Sequence, residues 1–208
     1  MTNIASTTPV LITQPDSLFR DLRELAGYAR ANPGKVAYGT PGVGTVPHLA
    51  AELFQIEGRV QLNHVPYKGA TQQIQDLIGG LTQVDFQSSL AVALPHLQSG
   101  RIKAIAVLSE QRSPLLPQVP TAKESGYPTM VVAPWFGLGA PAGVPGSMVE
   151  RMHAALVKGL SSKEIDAKFV SLGFTLSPSA SPADFAAQIR SEHARWGKII
   201  KAANVKNE

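Results

Sequence analysis

Short apolar runs alternate with segments of helical apolar spacing through the first half of the chain. The runs that predict strands occupy residues 9–13, 35–39, 61–66, 83–87 and 102–108. Helical spacing follows the second, third and fourth of these runs, over residues 45–58, 71–78 and 88–98. Because strands and helices alternate with short connections, the pattern predicts an α/β fold with a parallel sheet and right-handed crossovers.

A further helix is expected between the first two strands. Asp16 or Ser17 is placed to cap it, and Leu18 and Leu22 begin an apolar stripe at helical spacing. The sequence Asn32-Pro33-Gly34 predicts the end of this helix.

The second half of the chain begins with a proline-rich stretch at residues 109–121, which we interpret as a crossing between two lobes. A strand-like run at 130–140 is interrupted by Pro134. The remaining predicted elements are a short helix at 122–125, helices at 147–159 and 163–172, a strand at 174–176 and a helix at 182–203. The packing face expected for the last helix comprises Phe185, Ile189, Trp196, Ile199 and Ile200.

Composition and charge narrow the classes of function. The 208 residues are 44% hydrophobic and 16% charged, which is ordinary for a globular protein, and the formal net charge is +4. The basic residues are scattered, which favours small anions weakly and argues against nucleic acid. No apolar run reaches the length needed to span a membrane, so we expect no membrane insertion. The N-terminus lacks the pattern of a signal peptide.

The absence of cysteine excludes disulfides, zinc–thiolate sites and cysteine nucleophiles. His96, His153 and His193 lie on predicted helices without metal-ligand spacing, so no metal site and no cofactor are predicted.

The chain is organised around a glycine-rich stretch at residues 38–54, where a strand leads through a loop into a helix. Gly39, Gly42 and Gly44 allow a sharp turn and close approach to a ligand. Thr45 can cap the helix, and the free N–H groups at such a helix start suit an anion. The alternative is that the stretch is only a tight turn.

Two further loops are expected at the same edge of the sheet, because each follows the carboxyl end of a strand in a parallel sheet. Ligands of open α/β sheets bind at this edge. The three loops cover residues 39–45, 66–70 and 87–90. Thr40, Thr45, Ser88 and Ser89 supply hydroxyl groups, and Lys68 is the one cation among these loops. Such a crevice suits a carboxylate or a phosphate.

The residues predict binding rather than catalysis, so no catalytic residue is assigned. Ser88 is not in a nucleophile elbow, and the glycine spacing does not fit the dinucleotide fingerprint. His48 is expected to be structural or capping rather than a base, and His64 to pack or to bond a neighbour. Asp85, at a strand end, either bonds a loop or contacts a polar group of a ligand. An enzyme acting on an acyl or phosphoryl substrate remains the less favoured alternative.

Several of these stretches together resemble the substrate-binding proteins of tripartite tricarboxylate transporters, the Bug family. The resemblance covers nearly the whole chain, in the family's order. The segments that carry it are Ala31-Asn32-Pro33-Gly34-Lys35, Tyr38 to Leu49, His64-Val65-Pro66-Tyr67-Lys68-Gly69, Gly79-Gly80, Val84-Asp85, Arg112-Ser113, Leu116 to Thr121, and Trp135 to Gly143.

The resemblance implies a two-lobed periplasmic-binding-protein-like fold that delivers a small carboxylate, a di- or tricarboxylate or an aromatic acid, to a membrane transporter. It implies a periplasmic location, whereas Met1 as the natural start would imply the cytoplasm. The candidate ligand contacts, partly from the loops and partly from the resemblance, are Gly39, Thr40, Gly42, Gly44, Thr45, His48, Tyr67, Lys68, Gly69, Asp85, Gln87, Ser88 and Trp135.

The chain departs from the family at its N-terminus, where the secretion signal and a Pro-Gly-Gly loop are not found. We therefore expect residues 1–14 to be a crossing strand and remnant of the first lobe, 15–126 a complete α/β lobe, and 127–208 the C-terminal part of the first lobe. Apolar faces left by the incomplete lobe would be exposed, rearranged or buried in a homo-oligomer. The alternative function is accordingly an oligomeric structural or interaction protein with weak or no solute binding.

Overall fold

The computed structural model describes residues 1–205, which form two compact units. Unit one comprises Met1–Thr7 and Pro134–Lys198, and unit two comprises Thr8–Ala133 with the stretch from Ile199 onward. The first division lies at 7/8 instead of 14/15, because the strand at residues 10–13 belongs to the sheet of unit two. The second lies at 133/134 instead of 126/127, because Val132 is buried and donates its N–H to the carbonyl of Leu108.

The strands are β1 (Thr2–Thr7), β2 (Val10–Thr13), β3 (Ala37–Thr40), β4 (Asn63–Pro66), β5 (Val84–Gln87), β6 (Lys103–Val107), β7 (Trp135–Leu138) and β8 (Phe174–Leu176). The helices are α1 (Leu22–Ala31), α2 (Val46–Gly58), α3 (Ala70–Ile78), α4 (Leu90–Gln98), α5 (Gly146–Leu160), α6 (Lys163–Ser171) and α7 (Pro182–Ala202). Among residues 1–205, no helix has the length and apolar character needed to cross a membrane.

The sheet of unit two has the strand order β4-β3-β5-β2-β6. β3 pairs parallel with both β4 and β5, so the parallel-rich sheet predicted from the alternation of strands and helices is confirmed. β2 is the exception, because it enters antiparallel between β5 and β6. Buried aromatic and aliphatic side chains from the sheet and its helices form the core, among them Leu11, Tyr38, Phe54, Leu77 and Phe86.

Helix α1 begins later than the sequence predicted. Its cap is Asp21, whose carboxylate accepts hydrogen bonds from the backbone N–H groups of Arg23 and Glu24. The predicted cap at Asp16 or Ser17 is wrong, and Leu18 is 75% exposed instead of joining the apolar stripe. Asp21 therefore supplies the acceptor that the orphan donors of the first turn require.

Residues 122–126, directly after the proline-rich stretch, form turns, so the short helix predicted at 122–125 is wrong. Val107 donates its N–H to the carbonyl of Pro120 (2.9 Å), and Ala122 donates to the carbonyl of Val107 (2.9 Å). Through these two bonds, irregular backbone beside the edge strand satisfies the N–H and carbonyl groups of Val107, as a further strand would.

Unit one is built on a three-stranded antiparallel sheet in the order β7-β1-β8. Its central strand, β1, was not predicted, and the strand predicted at 130–140 is shortened to β7. Gly137 leaves space that the ring of Phe185 occupies, since a Cβ at this position would overlap that ring. On α7 only Phe185 is buried, while Ile189 and Ile200 are 42% and 37% exposed, so the predicted packing face is only partly formed.

Candidate functional site

Three consecutive strands of unit two, β3, β4 and β5, end at the same edge of the sheet because they run parallel. The first two of the expected loops meet there, where the N–H of Tyr67 donates to the carbonyl of Thr40 (2.9 Å). The loop between β3 and α2 and the loop between β4 and α3 therefore form one continuous surface beyond the strand ends, as expected for ligand sites in open α/β sheets.

Residues 40–45, here called the glycine loop, are fixed by their own hydroxyl groups. Gly42 and Gly44 have φ values of 138° and 74°, which favour glycine. The N–H of Gly42 donates to Thr40 Oγ1 (3.3 Å), and Thr45 Oγ1 donates to the carbonyl of Gly42 (2.7 Å). Thr45 precedes α2 but its side chain makes no capping bond. Both threonine hydroxyls, expected to be ligand donors, are thus used within the loop.

The backbone of the glycine loop keeps donors available for a ligand. Within residues 1–205, the N–H groups of Val43 and Thr45 have no protein acceptor. Both lie at the start of α2, where unpaired N–H groups and the helix dipole place partial positive charge. The loop is therefore suited to hold an anion through its backbone.

The side chain of His48 points back at the glycine loop rather than out to solvent. The residue is 7% exposed, and its Nδ1 accepts a hydrogen bond from the N–H of Gly44 (3.1 Å). Its Nε2 lies 3.7 Å from Glu52 Oε1. Burial lowers the pKa of His48, against a smaller opposing effect of Glu52. His48 therefore shapes the loop, with Nδ1 used by Gly44 and Nε2 turned towards Glu52.

His64, on the neighbouring strand β4, packs and bonds as the sequence predicted. Its ring stacks between Tyr38 (centroids 4.9 Å apart) and His48 (4.3 Å). Its Nε2 lies 2.6 Å from Thr40 Oγ1. Burial, and then the neighbouring ring of His48, lower the pKa of His64 to about 4. Tyr38, His64 and His48 form what we call the ring column, directly behind the glycine loop.

The second loop offers a cation and further backbone donors. Lys68 is exposed, and the N–H groups of Lys68 and Gly69 have no acceptor within the described residues. Gly69 precedes the first turn of α3, so these groups again lie at a helix start. Tyr67 is half-buried; burial, and then the carboxylate of Asp76, raise the pKa of its phenol.

Asp85 lies beneath the loops and is fully buried. Its Oδ1 accepts hydrogen bonds from the N–H of Gly39 (3.0 Å) and from the hydroxyl of Thr82 (2.9 Å). Its Oδ2 has no partner within residues 1–205. Burial raises the pKa of Asp85 to about 8, although these hydrogen bonds oppose the shift. The closeness of the carboxyl also explains Gly39, since a Cβ there would overlap Oδ1.

Gln73 is the residue of this region that the sequence analysis missed. It is fully buried on α3, and its Nε2 donates to the carbonyls of Gly39 (2.9 Å) and Phe86 (3.2 Å). The amide therefore ties the ends of β3 and β5 together. A signal was available, because Gln73 lies on the same face as the apolar Leu77 at i, i+4 spacing.

The third loop differs from the other two because two N–H groups at the start of its helix already have protein acceptors. The N–H of Leu90 donates to the carbonyl of Thr8 (2.7 Å), and the N–H of Ala91 to Ser89 Oγ (3.3 Å). Gln87 is 1% exposed, with its Nε2 unpartnered within the described chain. Ser88 is half-buried and also has an interaction partner. The roles predicted for Gln87 and Ser88 as ligand contacts therefore stay predictions, with fewer open donors at this helix start.

Trp135, the last predicted ligand contact, belongs to unit one. Its ring packs edge-on against Phe185, with centroids 5.3 Å apart. Packing alone therefore accounts for an aromatic residue at this position. No group of three side chains within residues 1–205 is arranged to hold a metal ion.

Comparison with known proteins identifies the family. The family described as "Tripartite tricarboxylate transporter family receptor" matches residues 1–205. A UPF0065 protein from the tcbD-tcbE intergenic region of Pseudomonas sp. strain P51 is 38% identical over 200 residues, which are 95% of this chain and 59% of that protein. Protein BugT of Bordetella pertussis is 34% identical over 197 residues, which are 95% of this chain and 60% of that protein. The chain thus spans about 60% of the length of these curated relatives.

Solved structures agree. Rpa4515 of R. palustris, determined with adipate, superposes with a TM-score of 0.85 at 31% identity. The match covers 98% of this chain and 67% of the Rpa4515 chain. MatC of Rhodopseudomonas palustris, with bound malate, gives a TM-score of 0.79 at 26% identity. The match covers 95% of this chain and 68% of the MatC chain. The chain therefore belongs to the tripartite tricarboxylate transporter receptor family, the TctC or Bug family of periplasmic binding proteins.

Proposed function

We propose that this chain is the solute-binding part of a receptor that holds a small organic acid by a carboxylate group and delivers it, chemically unchanged, to a membrane transporter. The observation that carries the proposal is the pair of adjacent helix starts, at α2 and α3, where the N–H groups of Val43, Thr45, Lys68 and Gly69 have no acceptor within residues 1–205. Carboxylates are well matched to such groups because their charge is met by N–H donors and helix dipoles.

The ligands of the structural relatives support a carboxylate. Rpa4515 was determined with adipate and MatC with malate, and both molecules are dicarboxylates. One carboxylate of such a ligand would lie over the starts of α2 and α3, next to the ammonium group of Lys68. Di- or tricarboxylates and aromatic acids remain the ligand classes proposed, with transporter subunits as partners and the periplasm as the location.

The matched family is one of receptors, which favours binding over catalysis. The site geometry agrees with that preference, because the ring nitrogens of His48 face Gly44 and Glu52 instead of a reacting group. Of the contacts proposed from the sequence, we retain Thr45, Lys68 and Gly69, because their N–H groups have no acceptor within residues 1–205. We reassign His48 and Asp85 to supporting the loops. The homo-oligomer expected from the sequence stays a prediction.

Titration calorimetry with malate, adipate, citrate and benzoate tests the proposal, with adipamide as the uncharged counterpart of adipate. We expect heat with at least one acid and none with the amide. Lys68→Met should weaken the binding by about tenfold, since it removes one charge-assisted contact.

Lys35→Met is the matched control. Lys35 is also exposed, but it precedes β3 and so lies at the opposite edge of the sheet. Affinity should be unchanged in this variant. Absence of heat for every acid at millimolar concentration, or equal losses in the two lysine variants, contradicts carboxylate capture at this edge.

A further inference from the structure

The glycine loop is attached to the body of unit two through two histidines that come from different elements. His48 on α2 accepts the N–H of Gly44, and His64 on β4 meets the hydroxyl of Thr40. Thr40 and Gly44 lie near the two ends of the loop that carries the free N–H groups. The shape of the anion-binding backbone therefore depends on two imidazole rings.

The bond from Gly44 requires His48 to be neutral. An imidazole nitrogen accepts a hydrogen bond only when it carries no proton, so Nδ1 must be unprotonated and the proton of the neutral ring lies on Nε2, facing Glu52. Protonation of Nδ1 turns an acceptor into a donor that faces another donor, the N–H of Gly44. The hydrogen bond is then lost and the two N–H groups repel each other.

Every group packed around His48 bears on this protonation. His64 stacks on it almost parallel, with an interplanar angle of 15°, so the two rings cannot both be charged without strong repulsion. Tyr38 stacks on the far side of His64 and donates its hydroxyl to Glu52 Oε1 (3.1 Å), and Gln55 Nε2 donates to the same oxygen (2.7 Å). Glu52 is thus partly compensated by two donors, which leaves burial as the larger influence and lowers the pKa of His48.

The position of His48 in its helix also disfavours protonation of the ring. Thr45 precedes α2, so His48 is the third helical residue, in the first turn. A positive charge there is unfavourable because it faces the positive end of the helix dipole.

We propose that His48 is a positioning residue that holds the glycine loop in its anion-binding form only while its ring is neutral, so that acidification weakens ligand binding. This inference rests on the proposed function and adds a regulation of the same site. Loss of the Gly44 bond frees residues 42–45 to rearrange, and the N–H groups of Val43 and Thr45 are then no longer held in fixed positions.

An opposing effect makes the inference sharply testable. A histidinium close to the loop would also attract an anion, and if that attraction dominated, acid would strengthen binding. The geometry favours loss, because His48 is 7% exposed and both ring nitrogens face protein groups. The sign of the pH dependence therefore decides between positioning and direct attraction.

The first experiment needs no ligand. NMR of the ¹⁵N-labelled full chain between pH 8 and 5 follows the amide of Gly44 and the ring of His48. The amide of Gly69, which has no hydrogen bond to a histidine among the described residues, is the control. We expect the Gly44 amide to shift with the same midpoint as the His48 ring and to lose protection from hydrogen exchange below it. A Gly44 amide that is unaffected while His48 titrates, or a His48 ring that stays neutral down to pH 5, overturns the inference even if carboxylates bind.

The second experiment measures affinity for malate and adipate at pH 7.5 and 5.0 in the wild type and in His48→Gln, whose side-chain carbonyl can accept the Gly44 bond at both pH values. Ionisation of the ligand affects both proteins equally and cancels in their ratio. The wild type should lose roughly five- to tenfold more affinity than the variant on acidification, as expected for one hydrogen bond.

An equal loss in both proteins, or a gain in the wild type alone, overturns the inference. If neither acid binds, the proposed function fails while the NMR result still decides whether His48 positions the loop. If His48→Gln does not fold, the NMR titration of the wild type carries the decision alone.

Discussion

Asp85 is a carboxyl group enclosed by protein, and within the part of the chain that the structure describes only one of its two oxygens accepts hydrogen bonds. Oδ1 receives two hydrogen bonds, whereas Oδ2 has none within residues 1–205. Gln73 in the same cluster has spent both N–H groups on backbone carbonyls, and its Oε1 also lacks a donor within that range. A proton on Asp85 adds the donor that this cluster lacks, and the raised pKa of about 8 agrees with a neutral acid at pH 7.

This protonation predicts a stability that falls as pH rises. An unfolded aspartate loses its proton near its ordinary pKa of about 4, whereas folded Asp85 keeps it up to about 8. Between these values the folded state binds one more proton than the unfolded state. The contribution of Asp85 to the free energy of unfolding is therefore full below pH 4 and falls by at most about 1.4 kcal/mol per pH unit until pH 8.

Asp85→Asn should remove this slope, because an amide keeps an acceptor for Gly39 and Thr82 and adds permanent N–H donors. Urea unfolding between pH 4.5 and 8.5 measures the effect. The variant should gain on the wild type steadily as pH rises. Asp16→Asn, an exposed change of the same charge, should leave the slope intact. A wild type whose stability relative to Asp85→Asn rises with pH would mean that Asp85 is ionised when folded.

The candidate site contains residues whose properties could be predicted from the sequence and residues whose partners could not. The backbone conformations of Gly42 and Gly44 and the exposure of Lys68 were predictable, because positive φ and an exposed cation at a helix start are local properties, whereas their ligand contacts stay predictions. The hydrogen-bond partners of His48 and Gln73 were not predictable, because the fold brings each partner close: Gly44 for His48, and the carbonyls of Gly39 and Phe86 for Gln73. Sequence spacing gives the face of a helix but not which atom that face meets.

Among the helices and strands, α1 shows that a local sequence pattern can allow two starts of a helix, of which tertiary packing selects one. Asp16 and Asp21 are both acidic residues placed before leucines, and the apolar stripe fits a start at either. The structure begins the helix at Leu22 and buries Phe19 instead of Leu18. Strand β1 was missed for a related reason, since its threonines and serine form a strand only because β7 and β8 pair with it on both sides.

The choice between the two caps is directly measurable. Asp21→Ala removes the acceptor of the Arg23 and Glu24 N–H groups and should lower the free energy of unfolding by about 1 kcal/mol. Asp16→Ala should change it by less than about 0.5 kcal/mol, because Asp16 is exposed and lies outside the helix. Asp21→Asn retains a capping oxygen and should stay close to the wild type. A larger loss at Asp16 than at Asp21 would restore the helix start predicted from the sequence.

At the scale of the whole molecule, the two units differ in how much their helices bury. In unit two, α1 alone buries four residues and α2 buries eight. In unit one, α5 buries only His153 and α6 buries none, while Met148, Met152, Val170 and Leu172 are exposed. Since burial of apolar surface is the main stabilising contribution, unit one should be the less stable of the two.

The aromatic residues are distributed so that each unit carries its own spectroscopic probe. Both tryptophans of the chain, Trp135 and Trp196, lie in unit one, and all four tyrosines lie in unit two: Tyr28, Tyr38, Tyr67 and Tyr127. Urea unfolding followed by tryptophan emission therefore reports on unit one, and tyrosine emission in a variant with Trp135→Phe and Trp196→Phe reports on unit two. We expect the tryptophan transition at the lower urea concentration, and a tyrosine transition that coincides with the later part of the loss of far-UV circular dichroism.

Single tryptophan variants control this assignment, because Trp135→Phe and Trp196→Phe should each leave an early transition reported by the remaining indole. Coincident transitions for tryptophan, tyrosine and circular dichroism would mean that the molecule unfolds in one step, and the difference in burial would then have no consequence for stability. A separate early transition has a functional consequence. The loops at the starts of α2 and α3 lie in unit two, so carboxylate binding should shift the tyrosine transition to higher urea and leave the tryptophan transition where it was.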